Sequence, residues 1–246
     1  MNHSTVMLRR NLTHIARNPM SLFNSILMPI LLLVMFVYMF GDAFSVGVDY
    51  VDYATPGLMI MAVCYGLGAT ATAVNSDMTK GIINRFKVMD VSRDAVLNGH
   101  VITGVATNLV ANAALVGVAL AMGFAPAAGL LDWLGVAGMI LLLGLAASWI
   151  TIALGMAAKS PENAGMAAVP MVMLPFFSSA LVPAEMMGAG LREFARYQPF
   201  TPIIESLRGL LNGAPQTGDV VAAVAWCVGI ALIGYLWASA TFKKRA

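Results

Sequence analysis

Six long apolar runs separated by short polar stretches lay out the whole chain: residues 22–40, 55–74, 95–122, 134–157, 165–182 and 220–241. A helix needs about 20 apolar residues to cross a bilayer's hydrocarbon layer, so each run reads as a membrane span. Pro29 predicts a kink in the first span, and Pro56 and the small residues 66–73 mark the second. The fifth holds Pro170 and Pro175 beside Phe176 and Phe177.

Three stretches depart from this pattern. Residues 2–18 put Leu8, Leu12 and Ile15 on one helical face with Arg9, Arg10 and Arg17 around it. This predicts an interfacial helix along the inner leaflet, with a disordered tail as the alternative. Residues 75–98 (NSDMTKGIINRFKVMDVSRDAVLN) carry Asp77, Lys80, Arg85, Lys87, Asp90, Arg93 and Asp94 between uncharged runs. Within them Ile82, Ile83, Phe86 and Met89 recur at helical spacing, which predicts a short amphipathic helix. That helix is either a solvated connection or an element that hands force from a soluble partner to the membrane. Residues 183–219 are too polar to span and too apolar for a free loop. Leu191, Phe194 and Ala195 predict one short helix there, Ile203, Ile204, Leu207, Leu210 and Leu211 a second, with Pro199 and Pro202 dividing them. Two helices dipping partway into the membrane would keep their backbone groups bonded and their charges near water.

Composition agrees: 59% of residues are hydrophobic and 11% charged, against roughly 25% charged in a soluble domain. The mean hydropathy is +0.81. The expected fold is an all-α integral membrane protein, one domain over residues 1–246 with six transmembrane helices. Charge placement sets its orientation. Eleven of the 14 Lys and Arg fall in the amino end, 75–98, the 159–163 turn and the carboxyl end, and the other three in 183–219. The positive-inside rule then puts both termini in the cytoplasm of a multi-pass cell-membrane protein. A cleavable signal is not expected, because the first apolar run starts only near Leu22 and lacks a small-residue cleavage site. The sequon Asn11-Leu12-Thr13 is discounted, because it falls on the inner side. Cys64 and Cys227 both lie in apolar runs and read as packing residues.

The chemistry expected of the chain is mostly defined by what is missing. There is no phosphate-binding loop, no His-Glu-x-x-His and no Gly-x-Ser-x-Gly, so no catalytic residue, bound cofactor or metal is expected. All charges can be placed in loops or at span ends, whereas an ion-coupled carrier needs an ionisable residue within a span. His100, near the start of the third span, is an interfacial residue or a proton relay. The bases follow topology without aromatic interleaving, so no nucleic acid is expected. Met28, Met35, Met59, Met61, Met171 and Met173, with Tyr65, Phe176 and Phe177, either line an adaptable apolar cavity or are ordinary core and lipid-facing residues. Glu193 with Arg196 and Glu205 with Arg208 stand three residues apart, and either pair on one helix face or gate an outer exit. Gly135, Gly138, Gly144 and Ala147 permit close helix contact, internally or between subunits.

Four stretches, in order, resemble the permease subunit of type-2 ATP-binding-cassette exporters of the daunorubicin-resistance kind. They are Leu8-Arg9-Arg10 through Arg17-Asn18-Pro19; the run from Asp77-Met78-Thr79-Lys80-Gly81 to Lys87-Val88; Ser179-Ala180-Leu181-Val182-Pro183; and Gln198-Pro199-Phe200-Thr201-Pro202 followed by residues 205–213. The likeness covers nearly the whole chain. Asp77 stands where that family often has Glu, Asp90 where Pro is common, and Gln198 where Asn is usual. The resemblance implies two permease subunits, identical or related, and two copies of a separate ATPase that binds ATP and Mg. It implies that residues 75–94 dock on the ATPase, with Asp77, Thr79, Lys80, Gly81, Ile82, Ile83, Arg85, Phe86 and Lys87 as contacts. Substrate would pass Met28, Tyr65, Met173, Phe176 and Phe177 toward an outer gate of Arg196, Pro199, Pro202, Glu205 and Arg208. The Met- and Phe-rich spans favour an apolar or amphipathic drug or lipid. A polysaccharide or glycolipid exporter is the alternative. An ion-coupled carrier would need inverted repeats, which are not visible, and an assembly protein without transport is a third class.

Overall fold

The computed structural model describes residues 19–41, 48–79 and 93–245. The expected interfacial helix at 2–18 and the amphipathic helix within 80–92 lie outside them. The described residues form ten α-helices and two short 3-10 turns: α1 Pro19–Phe40, α2 Tyr50–Tyr65, α3 Leu67–Thr79, α4 Arg93–Ala121, α5 Leu130–Ala157, α6 Pro161–Ala167, α7 Val169–Met173, α8 Ala189–Tyr197, α9 Phe200–Leu211 and α10 Thr217–Arg245. The 3-10 turns are Leu174–Phe177 and Ala184–Met186.

Four stretches are long and apolar enough to cross a membrane: Tyr50–Thr79, Gly99–Ala121, Leu130–Ala157 and Thr217–Thr241. A shorter apolar helix, Ile26–Phe40, precedes them. The first of the four covers the expected second run and extends beyond it at both ends. Its helix starts five residues before 55 and runs past 74, with Gly66 separating α2 from α3. The polar residues 75–79 therefore belong to α3.

The fifth apolar run, expected to span as one helix over 165–182, is broken into pieces of 7, 5 and 4 residues. The cause is in the sequence. Pro170 and Pro175 each lack the amide that would continue the ladder, and each is the second residue of a new segment. At the head of α6 the Ser160 hydroxyl accepts from the Asn163 amide at 3.2 Å. The Glu162 backbone amide, and then the Ser160 hydroxyl, hold the Glu162 carboxyl below the usual carboxylate range. Past Phe177 the chain turns, with the Ala180 amide donating to the Ser178 hydroxyl at 3.2 Å.

Helix α5 is the hub. It packs against α10 above all, and against α3, α4, α9 and α6. Small residues let the backbones approach. Gly135 lies against Leu210 and Gly144 against Asn108, so two of the expected small positions serve internal packing. A Cβ at Gly234 would fall 2.6 Å from the Ile150 nitrogen and 2.8 Å from the Trp149 carbonyl carbon. Beside it Tyr235 meets Trp149 edge-on, ring centroids 5.0 Å apart. Gly234→Val should push α10 off α5 and cost about 2 kcal/mol through overpacking. A lowered thermal midpoint of the detergent-purified chain is the expected readout, and an unchanged midpoint would count against this packing.

Two ends of the bundle are distinct. At one, the Asp52 carboxylate accepts from the Ala125 amide at 2.9 Å, and Gly213 approaches Ala127. This end gathers the starts of α2, α5 and α10, with Asp49, Asp52, Asp132 and Asp219. At the other, α3 ends beside the end of α5, and Arg93, Lys159 and the basic tail of α10 belong to it.

Candidate functional site

At the acidic end, one arginine joins three elements. The guanidinium of Arg208, on α9, donates through Nη2 to the backbone oxygens of Tyr53 at 3.2 Å and Ser179 at 3.0 Å. Its Nη1 donates to Glu205, and its carbon lies 4.0 Å from the centroid of the Tyr53 ring. A planar, fixed fork of donors suits two carbonyls and a carboxylate together, and the ring face adds a cation–π contact. The tyrosines complete the clamp: the Tyr53 hydroxyl donates to Ser179 O at 2.9 Å and the Tyr50 hydroxyl to Leu181 O at 3.0 Å. The head of α2, the turn after the broken fifth run and α9 are thus one bonded unit.

The sequence pattern places α9 correctly, because Ile203, Ile204, Leu207 and Leu211 are fully or almost fully buried against α2, α5 and α10. Pro199 caps α9 and is half-buried. Pro202 does not divide two helices; it sits in the first turn of α9, where its missing amide costs nothing. Gln198 is buried at the start, its amide contacting Thr201 and its carbonyl accepting from the Phe200 amide. Arg196 does not pair with Glu193 along α8. Its guanidinium reaches Glu185 at 3.6 Å instead, while Arg192 donates to the Glu185 and Met187 carbonyls and fastens α8 to the preceding 3-10 turn. Of the expected outer-gate residues, Glu205 and Arg208 meet directly, while Arg196 stands apart on the exposed rim.

Two of the residues expected to meet an ATPase stand at the opposite end. Asp77 and Thr79 are described; Lys80, Gly81, Ile82, Ile83, Arg85, Phe86 and Lys87 lie outside the described residues. Asp77, expected as an ATPase contact, is turned inward. It is 9% exposed on the last turns of α3, and its Oδ2 lies 3.2 Å from His100 Nε2 on α4. The helical turn that continues α3 past residue 74 carries it inward. The Thr79 hydroxyl bonds back to the Asn75 and Ser76 carbonyls. Asn75, fully buried, donates from Nδ2 to the Gly155 and Ala158 oxygens, both at 2.8 Å. These carbonyls close α5, where the helix leaves acceptors without intrahelical donors.

The expected pathway residues divide. Met28, Met173 and Phe177 face outward, 47%, 42% and 46% exposed. Tyr65 and Phe176 pack partway against the main core. Sequence reading missed Tyr50, Tyr53, Asn75 and Ser179. Two tyrosines three apart at the head of an apolar run were the available signal for the first pair. For Asn75 and Ser179 no local pattern exists, because their partners come from distant segments.

Comparison with known proteins adds the family. The ABC-2 type transporter family matches residues 3–212. The daunorubicin resistance ABC transporter permease protein DrrB1 of Streptomyces coeruleorubidus is 30% identical over 217 residues, covering 87% of this chain and 76% of that protein. The probable doxorubicin resistance ABC transporter permease protein DrrC of Mycobacterium tuberculosis is 27% identical over 234 residues, covering 91% of this chain and 82% of that protein. With its all-helical bundle and apolar crossings, the chain belongs to the ABC-2 type transporter family, the membrane permeases of ATP-binding-cassette systems.

Proposed function

We propose that this chain is the membrane permease of an ATP-driven exporter that moves an apolar or amphipathic compound, a drug or a lipid, outward. It works with a separate ATPase that binds ATP and Mg, and with a second permease subunit, identical or related. The family match across residues 3–212 carries this reading. Resistance to amphipathic drugs in the relatives' names supports the substrate class. The Met- and Phe-bearing outward face of α1, α7 and the following turn supports it as well, since such side chains repack around varied apolar shapes. Six crossings, with both termini in the cytoplasm of the cell membrane, agree with eleven basic residues on one side. The stretch 75–94 serves as the ATPase contact through its basic and apolar residues after Thr79. The elements of 183–219 form the outer rim, closed by the Arg208 clamp.

The test is co-purification with candidate ATPases and ATP turnover in the presence of amphipathic compounds. Replacing Arg85 and Phe86 together with Ala should lower recruitment or stimulated turnover by about tenfold, the loss of a small interface anchor. Unchanged pull-down with unchanged turnover would remove that contact from the proposal. A tag at position 47 should label from outside and one at position 84 from inside; the reverse would overturn the orientation.

A further inference from the structure

The polar residues at the end of α3 are turned into the protein and bonded on two sides. Thr72 Oγ1 donates to Pro161 O at 3.2 Å, which ties α3 to the first residue of α6. Asn75 holds the last carbonyls of α5, and the approach is close because a Cβ at Gly155 would fall 2.7 Å from Ala71 O. On the other side Asp77 meets His100, 23 positions along the chain, with side chains 13% and 10% exposed. The chain between these two residues is the stretch assigned above to the ATPase. The hydrogen bond therefore joins the helix that leads into that stretch to the helix that leads out of it.

We infer that Asp77 and His100 are positioning residues for energy coupling: their bond makes the ends of α3 and α4 move as one body, and Asn75 and Thr72 pass that movement to α5 and α6. The inference rests on the permease reading and adds a role that the docking assignment of Asp77 did not contain. A load on a connection between two helices can turn them independently or carry them together. Without a cross-tie, part of the displacement is lost in local rotation. With one, the close-packed α3–α5 contact transmits it, because protein interiors yield little. Helix α6 opens the broken fifth run, whose next piece, α7, packs against α2. Movement delivered there reaches the element least able to resist it, since its helical ladder is interrupted twice.

Hydrogen exchange on the full-length chain in lipid nanodiscs tests the tie without any ATPase. His100→Leu should raise exchange of the amides of Ser76, Asp77, Met78 and Thr79 by about tenfold, as expected when a partly buried bond that holds them is lost. Exchange in α5 and α10 should stay within about twofold. His100→Gln, which keeps an Nε2 donor, should restore most of the protection. Unchanged exchange at 76–79, a rise of equal size throughout α5 and α10, or no rescue by Gln would each overturn the tie. In the complex with its ATPase, His100→Leu should lower compound-stimulated ATP turnover by about tenfold while the ATPase still co-purifies at the wild-type level. Turnover at the wild-type level, or lost co-purification, would overturn the positioning role. If no ATPase binds the unmodified chain, the permease reading fails while the exchange result still decides the tie.

Discussion

Arg208→Ala destabilises the chain by about 3 kcal/mol, the scale of breaking a buried ion pair on one side. The side chain is 13% exposed and satisfies two backbone oxygens, a carboxylate and a ring face at once. Truncation leaves Tyr53 O without the guanidinium, and leaves Ser179 O with the Tyr53 hydroxyl alone of these two donors. Each lost bond to a charged donor is worth about 1.5–3 kcal/mol when nothing replaces it. Glu205 is 35% exposed, so water repays part of its loss, and the total stays at the lower end of the range. Glu205→Gln should be much milder, because an amide oxygen still accepts from Nη1. Thermal unfolding of the purified chain checks the order, with Arg208→Ala well below Glu205→Gln and Glu205→Gln near wild type. Equal midpoints for the two would show that the guanidinium does not hold α9 to α2. Arg208→Lys should fall near the alanine variant, because a single ammonium cannot span two carbonyls and a carboxylate in the same plane.

Gly57→Ala is the second large effect, and its sign runs against intrinsic propensity. Position 57 lies inside α2, where alanine is favoured over glycine by about 1 kcal/mol. A Cβ there would sit 2.5 Å from both the Cα and the carbonyl oxygen of Ala180. Backbone atoms cannot swing aside as a side-chain end can, so α2 must withdraw from the turn after the fifth run. Withdrawal strains the Tyr50–Leu181 and Tyr53–Ser179 hydrogen bonds together. The expected cost is about 3 kcal/mol, at the top of the ordinary overpacking range. Gly138→Ala is the control: its Cβ would meet nothing within 4 Å, so the variant should be neutral or slightly more stable. If both substitutions left the thermal midpoint unchanged, the close contact between α2 and Ala180 would be refuted.

Hydropathy and periodicity reveal the all-helical character and α9, because both depend on composition within one segment. The polarity change at residue 74 and the course of the helix differ for a physical reason. A polarity change marks where a helix leaves the hydrocarbon, whereas the helix itself continues to Thr79 on its own hydrogen bonds. The inward bonds of Asn75 and Asp77 leave no local pattern, because their partners, Gly155, Ala158 and His100, lie 80, 83 and 23 positions away. The break in the fifth run has a different origin. Pro170 and Pro175 were visible beside the two phenylalanines, but hydropathy outweighed them, and two missing amides suffice to divide the segment. Glu193 and Arg196 had ideal spacing on α8, yet Arg196 found Glu185 across the turn, since exposed long side chains choose by geometry more than by register. Of the candidate site, the Glu205–Arg208 pair was legible and its partners Tyr53 and Ser179 were not.

The main neighbour of α5 is α10, yet α5 ends at Ala157 and α10 begins only at Thr217. While the polypeptide is being made, the Trp149–Ile150 side of α5 that will receive Gly234 enters the bilayer before its mate has been synthesised. A chain stopped within that interval shows the cell an open seam that quality control can recognise.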